Sequence, residues 1–468
     1  MKSRIGRVEV RISRMFASFA AVRAVAALAI GICLGASGAE PWAFTSAKLV
    51  PDPAVGREIT ADVHEIALPS RRSIGWWTTT HELTRTGGVH FAARAEIALG
   101  AGEADVYNDC MMFVTWFDPK YGRAPGKRFF QREFIAYTDA PAADGRIVRT
   151  FDQTLPVPST SDCVRVEFIA KWHPMTVRVS GLKIEEVARP APRRVRCVVG
   201  NPHERRPKSW DDPAAVVAGR LAQIEATFTN IFAHVERPDL ILFSEVFTDT
   251  GSPCPEKTAE RIPGGPTFAL ASRYAKRYRC NIAMNVRERT DAGTYHNSTF
   301  IVDRAGELVG VYRKVTLTSG EYQAGMLPGD DFRVFPLDFG KVGCLTCWDN
   351  WFSESFKYTR RLGAELLLFP LAGCAQDHMD FVWPTRAIDT GVPILFCTRQ
   401  GHLPSGIVDR DGTWAAQTLE DNGFAWADID LNERKRTFWL SVGPGAGDPY
   451  DLYINESRPE LYRRQPLR

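Results

Sequence analysis

The sequence predicts two domains of different class, an all-β sandwich followed by an α/β domain. Residues 40–187 hold short strand-like runs between turns rich in Gly, Pro and Asp, and no long helical period occurs among them. From residue 195 to about residue 432, apolar strand-like runs alternate with helical periods. Residues 188–194 are rich in proline and arginine, which is typical of a linker between domains.

The first domain is predicted to be an antiparallel sandwich of jelly-roll type. Its clearest strands are residues 90–97, 111–117 and 163–169. The adjacent Trp76 and Trp77 could stack on sugar rings, so polysaccharide binding by this domain is an open alternative. Because neighbouring strand residues point to opposite faces of a sheet, we expect one of the two indoles in the core.

The second domain begins with a buried-strand pattern at residues 195–200. An amphipathic helix follows, and its start is predicted at Asp211 or Asp212 with Pro213. Its apolar stripe recurs at steps of three and four, at Val217, Leu221, Ile224, Phe228, Ile231 and Val235. The next apolar strand covers residues 239–244, and Glu245 directly follows it.

The composition is that of an ordinary globular protein. The 468 residues are 44% hydrophobic and 24% charged, enough for two or three hydrophobic cores. The 58 Lys and Arg residues nearly balance the 55 Asp and Glu residues, so the net charge is only +3. A charge this small does not indicate a nucleic-acid partner.

The first 39 residues follow the pattern of an export signal. Basic residues are concentrated in positions 2–14, an uninterrupted apolar run occupies 24–36, and the segment ending at Ala39 suits cleavage by a signal peptidase. The run is too short to cross a bilayer core of about 30 Å, which favours export over a permanent anchor. We expect a periplasmic or extracellular mature chain without a membrane span.

The number of cysteines matters if the chain is exported, because thiols tend to pair outside the cytoplasm. Removal of the signal leaves nine of the ten cysteines, so at least one is expected to stay free under oxidising conditions. Cys110 and Cys163 could pair within the first domain, although the sequence does not establish their connectivity.

Three residues of the second domain each follow a strand, where α/β proteins usually place reactive groups. They are Glu245, Lys314 and Cys347. A strand-to-helix turn at Cys347 would expose the sulfur and direct backbone N–H groups toward it. Each residue also has an ordinary explanation, as a solvated carboxylate, a surface ammonium and an inert buried thiol.

These three residues and their flanking segments resemble the nitrilase superfamily of carbon–nitrogen hydrolases. The order Glu, Lys, Cys is the order of that family, and the resemblance covers about residues 195–432. Further matching segments are residues 295–300, 362–370, 386–393 and 405–412. The resemblance implies a four-layer α-β-β-α domain that follows the β-sandwich.

The resemblance also implies a role for each site residue. Cys347 is the implied nucleophile and Glu245 the implied base, which activates the thiol and later a water. Lys314 and the backbone N–H of Trp348 would stabilise the oxyanion. Glu321 occupies the position of a second glutamate that orients the lysine or the substrate.

The implied reaction is hydrolysis of a small amide or carbamoyl compound through a thioester, with no cofactor and no metal. The Cys-Trp-Asp segment at 347–349 departs from the Cys-Trp-Glu that tends to accompany nitrile hydrolysis, which favours amides. Nitrile hydrolysis and acyl transfer to an amine remain alternatives. A homo-oligomer is also expected, with the tail at 433–468 at a subunit contact.

Two other readings compete with this hypothesis. Cys344 and Cys347 form a C-x-x-C motif, but residues three apart on a strand face opposite sides, and no second pair supplies zinc ligands. The rival from another class is a glycan- or envelope-binding protein with a non-catalytic second domain. The intact set of Glu245, Lys314 and Cys347 argues against that rival.

Overall fold

The computed structural model describes residues 40–84, 87–101, 108–118, 130–202, 207–373, 378–399, 403–435, 437–439, 445–447 and 454–458. The predicted export signal at 1–39 lies outside these residues. Among the helices of the described ranges, none has both the length and the apolar character needed to cross a bilayer.

The N-terminal part of the described chain is entirely β-structure. Its strands are β1 (Ala43–Ser46), β2 (Val55–Thr60), β3 (Val63–Leu68), β4 (Ile74–Glu82), β5 (Gly88–Leu99), β6 (Cys110–Phe117), β7 (Phe130–Phe134), β8 (Tyr137–Pro141), β9 (Ile147–Pro156), β10 (Cys163–Lys171) and β11 (Met175–Val187).

These strands form two antiparallel sheets that pack face to face. One sheet has the order β1-β4-β10-β6-β7 and the other the order β2-β3-β11-β5-β9-β8. Phe91 and Phe151 of the second sheet contact Trp116 and Phe168 of the first through edge-to-face rings. This core confirms the predicted sandwich.

Trp76 and Trp77 follow the expected alternation along β4. Trp77 is buried in the core between the sheets, and its indole N–H donates to the Glu65 carbonyl. Trp76 is only half-buried. One of the two indoles is therefore a core residue, as predicted.

The structure does not pair Cys110 with Cys163, a pairing that the sequence left open. In the antiparallel pairing of β6 with β10, Cys163 lies opposite Phe117 and Cys110 lies opposite Ala170, so the two thiols stand at opposite ends of the ladder. Cys110 and Cys163 therefore form no disulfide bond with each other.

The remaining described chain alternates strands and helices. Its strands are β12 (Arg194–Asn201), β13 (Leu240–Leu242), β14 (Asn281–Arg289), β15 (Tyr295–Val302), β16 (Leu308–Arg313), β17 (Val334–Leu337), β18 (Gly340–Cys344), β19 (Leu366–Leu371), β20 (Ile394–Thr398), β21 (Ser405–Val408), β22 (Trp414–Thr418), β23 (Gly423–Asp430), β24 (Thr437–Trp439) and β25 (Gly445–Gly447). Its α-helices are α1 (Pro213–His234), α2 (Pro255–Thr258), α3 (Pro266–Tyr278), α4 (Ser319–Gln323), α5 (Ser353–Arg361) and α6 (Trp383–Thr390).

Helix α1 confirms the predicted start and stripe. The Asp212 carboxylate accepts a hydrogen bond from the Ala215 N–H, which caps the helix, and Pro213 occupies its first position. The buried residues of the helix include four of the predicted stripe, Val217, Ile224, Phe228 and Ile231.

Two six-stranded sheets form the centre of this domain, in the orders β16-β15-β14-β13-β12-β23 and β17-β18-β19-β20-β21-β22. Along β12, Cys197 and Val199 belong to the core shared with the second sheet, whereas Val198 packs with α1 and α3. On the outer side of the second sheet, Trp383 of α6 stacks on Phe396 of β20. The domain is therefore the four-layer α-β-β-α sandwich that was predicted.

The described parts of the tail contact the N-terminal sandwich of the same chain. Strand β25 pairs in parallel with β7, and β24 pairs with β25, so both extend the first sheet at its β7 edge. The side-chain amide of Asn108 donates to the carbonyls of Ile454 and Ser457. The predicted contact of the tail with a second subunit stays a prediction.

Candidate active site

The structure brings the three sequence-predicted residues together. Glu245 follows β13 after two residues, Lys314 directly follows β16, and Cys347 follows β18 after two residues. The Lys314 Nζ lies 3.1 Å from Glu245 Oε1, and the Cys347 thiol donates a hydrogen bond to the same carboxylate. A thiol, a carboxylate and an ammonium therefore share one small volume.

The turn at Cys347 has a strained backbone and leads into a short helix. Cys347 has a φ of 44°, which is uncommon for a residue with a side chain, and it opens a short 3-10 helix (Cys347–Trp351). The backbone N–H of Ala372, at the end of β19, donates a hydrogen bond toward the sulfur. The predicted strand-to-helix turn is present, with a 3-10 helix as its continuation.

Trp348 lies with its ring outside this cluster. The indole is 39% exposed and packs against the Trp351 ring at a centroid distance of 5.7 Å. Its side chain thus belongs to the surface beside the site, while its backbone N–H directly follows Cys347. The oxyanion role of that N–H stays a prediction.

The protonation states at rest follow from the environment of each group. Burial opposes ionisation of Glu245, but the charges of Lys314 and Arg399, with hydrogen bonds from Asn297 and Cys347, bring its pKa below the ordinary value. Burial raises the pKa of the Cys347 thiol, and the Glu245 charge raises it further. The resting pair is therefore a carboxylate and a neutral thiol.

Lys314 stays an ammonium although it is buried. Burial by itself would lower the pKa of Lys314, but the nearby Glu245, Cys347 and Glu321 raise it well above its ordinary value. Only 1% of the side chain is exposed. A buried positive charge beside the thiol is suited to stabilise a developing oxyanion.

Glu321 lies against the lysine and also caps a helix. Its Oε2 is 2.9 Å from Lys314 Nζ, and the same oxygen accepts hydrogen bonds from the backbone N–H and the hydroxyl of Thr318 at 2.8 and 2.9 Å. This is the capping box at the start of α4. Glu321 can orient Lys314 because its own position is set by the helix.

Three further residues of the site were missed by sequence reasoning. Asn297 donates through Nδ2 to Glu245 Oε1 and Glu321 Oε1, at 2.7 Å each. Arg399 follows β20, contacts the Thr250 hydroxyl and acts electrostatically on Glu245. Asn297 lies within residues 295–300, which match the family, so this segment could have indicated the residue. No sequence pattern around Arg399 indicated a role in the site.

The third missed residue, Asp349, joins two loops of the site. Its buried carboxylate accepts from the Tyr312 hydroxyl at 2.7 Å, the Thr316 N–H at 3.0 Å and the Thr346 N–H at 2.9 Å. It thereby ties the segment carrying Lys314 to the turn carrying Cys347. In the sequence, Asp349 had been noted only because the Cys-Trp-Asp segment favours amide over nitrile substrates.

Cys344, the first cysteine of the C-x-x-C motif, is the last residue of strand β18, whereas Cys347 lies in the turn that follows the strand. Cys344 is fully buried in β18, and burial raises its pKa well above the ordinary value. No group of three His, Cys, Asp or Glu side chains within the described ranges is arranged to hold a metal ion.

Comparison with known proteins gives a consistent result. The family model for carbon-nitrogen hydrolases matches residues 200–437. A probable nitrilase of Schizosaccharomyces pombe is 33% identical over 241 residues, which cover 48% of this chain and 85% of the relative.

Two further relatives are named as an N-carbamoylputrescine amidase and a citrullinase. An N-carbamoylputrescine amidase of Arabidopsis thaliana is 33% identical over 267 residues, covering 49% of this chain and 85% of the relative. A citrullinase of Francisella tularensis is 34% identical over 231 residues, covering 44% of this chain and 76% of the relative. The chain therefore belongs to the carbon–nitrogen hydrolase family of the nitrilase superfamily, with the β-sandwich as an N-terminal extension.

Proposed function

We propose that the protein hydrolyses a small amide or carbamoyl compound through a thioester on Cys347. The observation that carries this proposal is the shared contact of the Cys347 thiol and the Lys314 ammonium with the Glu245 carboxylate. The names of two relatives, a carbamoylputrescine amidase and a citrullinase, support a carbamoyl substrate.

In the proposed reaction, the Cys347 sulfur attacks the carbonyl carbon while Glu245 accepts the thiol proton. The resulting oxyanion faces the Lys314 ammonium and the backbone N–H of Trp348. The carbon–nitrogen bond then breaks, and Glu245 passes its proton to the departing ammonia or amine. A water attacks the thioester with Glu245 again as base, which releases the acid and restores the thiol.

The first experiment measures ammonia release from a panel of amides, carbamoyl compounds and nitriles. It compares the native protein with Cys347→Ala and with Cys254→Ala, a control that changes a half-exposed cysteine outside the triad. We expect release by the native protein and the control, and none by Cys347→Ala. Equal release by Cys347→Ala would exclude this cysteine as the nucleophile.

The same panel separates the alternatives that share the triad. Release from nitriles but not from amides would identify nitrile hydrolysis. Acyl transfer would be detected by adding an amine or hydroxylamine to the reaction. An amide or hydroxamate product would then form at the expense of the free acid.

The sandwich domain offers weak support for glycan binding. The exposed large apolar side chains in its described ranges are aliphatic, namely Leu49, Val55 and Ile59, whereas sugar platforms are usually aromatic. Sedimentation with insoluble glycans, together with no cleavage of any compound in the panel, would favour the binding-protein alternative. Polysaccharide contact and a homo-oligomeric state stay predictions.

We also propose export, with cleavage after Ala39. The proposal is supported by the basic, apolar and small-residue segments of 1–39. Expression with the native N-terminus and sequencing of the mature chain tests it. We expect Glu40 as the first residue of protein recovered outside the cytoplasm, and an intact Met1 or a cytoplasmic location would contradict it.

A further inference from the structure

A row of buried amide side chains leads to the two glutamates of the site. Asn285 of β14 and Asn297 of β15 are each 2% exposed. Asn285 Nδ2 donates to Asn297 Oδ1 at 2.9 Å, and Asn297 Nδ2 donates to Glu245 Oε1 and Glu321 Oε1. The two carboxylates are thus joined to the sheet through two amides in series.

The direction of every hydrogen bond in this row follows from its first donor. The backbone N–H of Val246 can only donate, and it lies 2.8 Å from Asn285 Oδ1. The Asn285 amide must therefore turn its NH₂ group toward Asn297, whose oxygen must face Asn285. The NH₂ group of Asn297 is then left for the carboxylates, which need a donor.

A reversed Asn297 amide would be unfavourable in this setting. Its oxygen would lie 2.7 Å from two carboxylate oxygens, and buried polar groups would lose their partners. Asn285 prevents this reversal, because its own amide is fixed by the backbone.

Asn285 also holds the backbone on the other side of the base. Val246 directly follows Glu245 and has a φ of 37°, a conformation that β-branched residues rarely adopt. Its N–H is bound by Asn285 Oδ1. One side chain therefore supports Glu245 through both its backbone and its carboxylate.

We propose that Asn285 is a positioning residue that orients Glu245 and Glu321 through the amide of Asn297 and through the backbone of Val246. The proposal rests on the role of Glu245 as base in the proposed function. It adds to that function a residue that touches neither the substrate nor the sulfur.

Loss of this support should change the titration of Glu245. The charged and titratable groups that face Glu245 are Lys314, Arg399 and Cys347, and Glu321 shares both Lys314 and Asn297. These groups remain in an Asn285 variant, while the donor that Asn297 offers is no longer held in place. Because donation to a carboxylate favours its charged form, the pKa of Glu245 should rise.

The test follows the rate of Cys347 alkylation by iodoacetamide against pH, measured on the Cys347 peptide by mass spectrometry. It uses Asn285→Ala, the nearly isosteric Asn285→Asp and the control Asn281→Ala. Asn281 is equally buried in the same strand, but it donates to the Asp239 carbonyl and to Asp338 instead. Melting temperature and circular dichroism establish that each protein is folded.

We expect the acidic limb of the alkylation profile to move up by about one pH unit or more in both Asn285 variants and to stay in place in Asn281→Ala. For a cleaved amide, kcat/KM should fall on the order of 10- to 100-fold, mainly through kcat. An unmoved limb in the folded Asn285 variants, or an equal movement in Asn281→Ala, would overturn the proposal. Failure of the native protein to cleave any amide would count against the proposed function alone, because the alkylation profile needs no substrate.

Discussion

At the residue scale, the site separates the protonation states of two neighbouring acids. Glu245 has a pKa below its ordinary value of 4.5, while the pKa of Cys347 is raised. The thiol is therefore neutral at rest, while the carboxylate beside it is already charged. This arrangement suits a general base better than a preformed thiolate.

The lowered pKa of Glu245 predicts the acidic limb of the activity profile. In the proposed reaction, activity requires the Glu245 carboxylate, so we expect it to be lost as the pH falls through the pKa of Glu245 in the folded protein. We expect the limb of kcat/KM below pH 4.5, the ordinary value for this group. The acidic limb is measured from initial rates of ammonia release, corrected for the fraction of unfolded protein. A limb well above pH 5 would contradict this prediction.

A second prediction at this scale concerns Glu321. Substitution can remove its negative charge beside Lys314 without removing the oxygen that caps α4. In Glu321→Gln an oxygen remains to cap α4, but the negative charge beside Lys314 is lost. We expect kcat to fall about 10-fold with a stability change below about 1 kcal/mol. Glu321→Ala should lose stability as well, since it also removes the cap.

Steady-state kinetics and urea unfolding of the two Glu321 variants provide the comparison. Native kcat in Glu321→Gln would mean that the charge of this glutamate does not assist Lys314.

At the element scale, the site depends on how helix α5 packs on strand β18. A side chain at Gly343 would bring its Cβ within 2.4 Å of Thr359 Cγ2 and 2.6 Å of Leu367 Cδ2. Because Thr359 lies on α5 and Leu367 on β19, Gly343 allows these elements to approach closely. Strand β18 leads to the Cys347 turn, so this packing supports the position of Cys347.

Two glycine substitutions should therefore act in opposite directions. We expect Gly343→Ala to lower the free energy of unfolding by about 1–3 kcal/mol, through overpacking. Gly219→Ala, in the interior of α1 with nothing within 4 Å of an added Cβ, should raise it by about 0.5–1 kcal/mol. Urea unfolding measures both, and a neutral Gly343→Ala would show that α5 can shift without cost.

At the scale of the whole molecule, the tail connects the hydrolase domain with the sandwich. Strands β24 and β25 extend the first sheet beyond β7, and Arg361 at the end of α5 donates to the Ser457 hydroxyl. The tail therefore contacts both domains within one chain.

Truncation after Lys435 tests the contribution of the tail. It would leave the backbone groups of β7 unpaired along one edge, which favours association with other chains. We expect a lower melting temperature and larger species in gel filtration than for the native protein. An unchanged melting temperature would show that the sandwich does not depend on the added strands.

The sequence alone was sufficient for the features that local patterns encode. Alternating residues predicted the strands of the sandwich, the stripe from Val217 to Val235 predicted α1, and the order Glu245, Lys314, Cys347 predicted three side chains that the structure brings together. Each pattern is readable because its residues are neighbours on one strand or one helix face, or because a family motif preserves their order.

Only the tertiary structure decided which side chains surround Glu245, Lys314 and Cys347. Lys314 and Glu245 are 69 residues apart and Asn297 and Glu245 are 52 apart, so no local period relates them. The same holds for Asp349, which accepts a hydrogen bond from Tyr312 of β16, 37 residues earlier in the chain. It also holds for Cys110 and Cys163, which the register of β6 and β10 keeps apart. A hydrogen bond or a disulfide needs atoms at a set distance and direction, and these are fixed only when the sheets have packed.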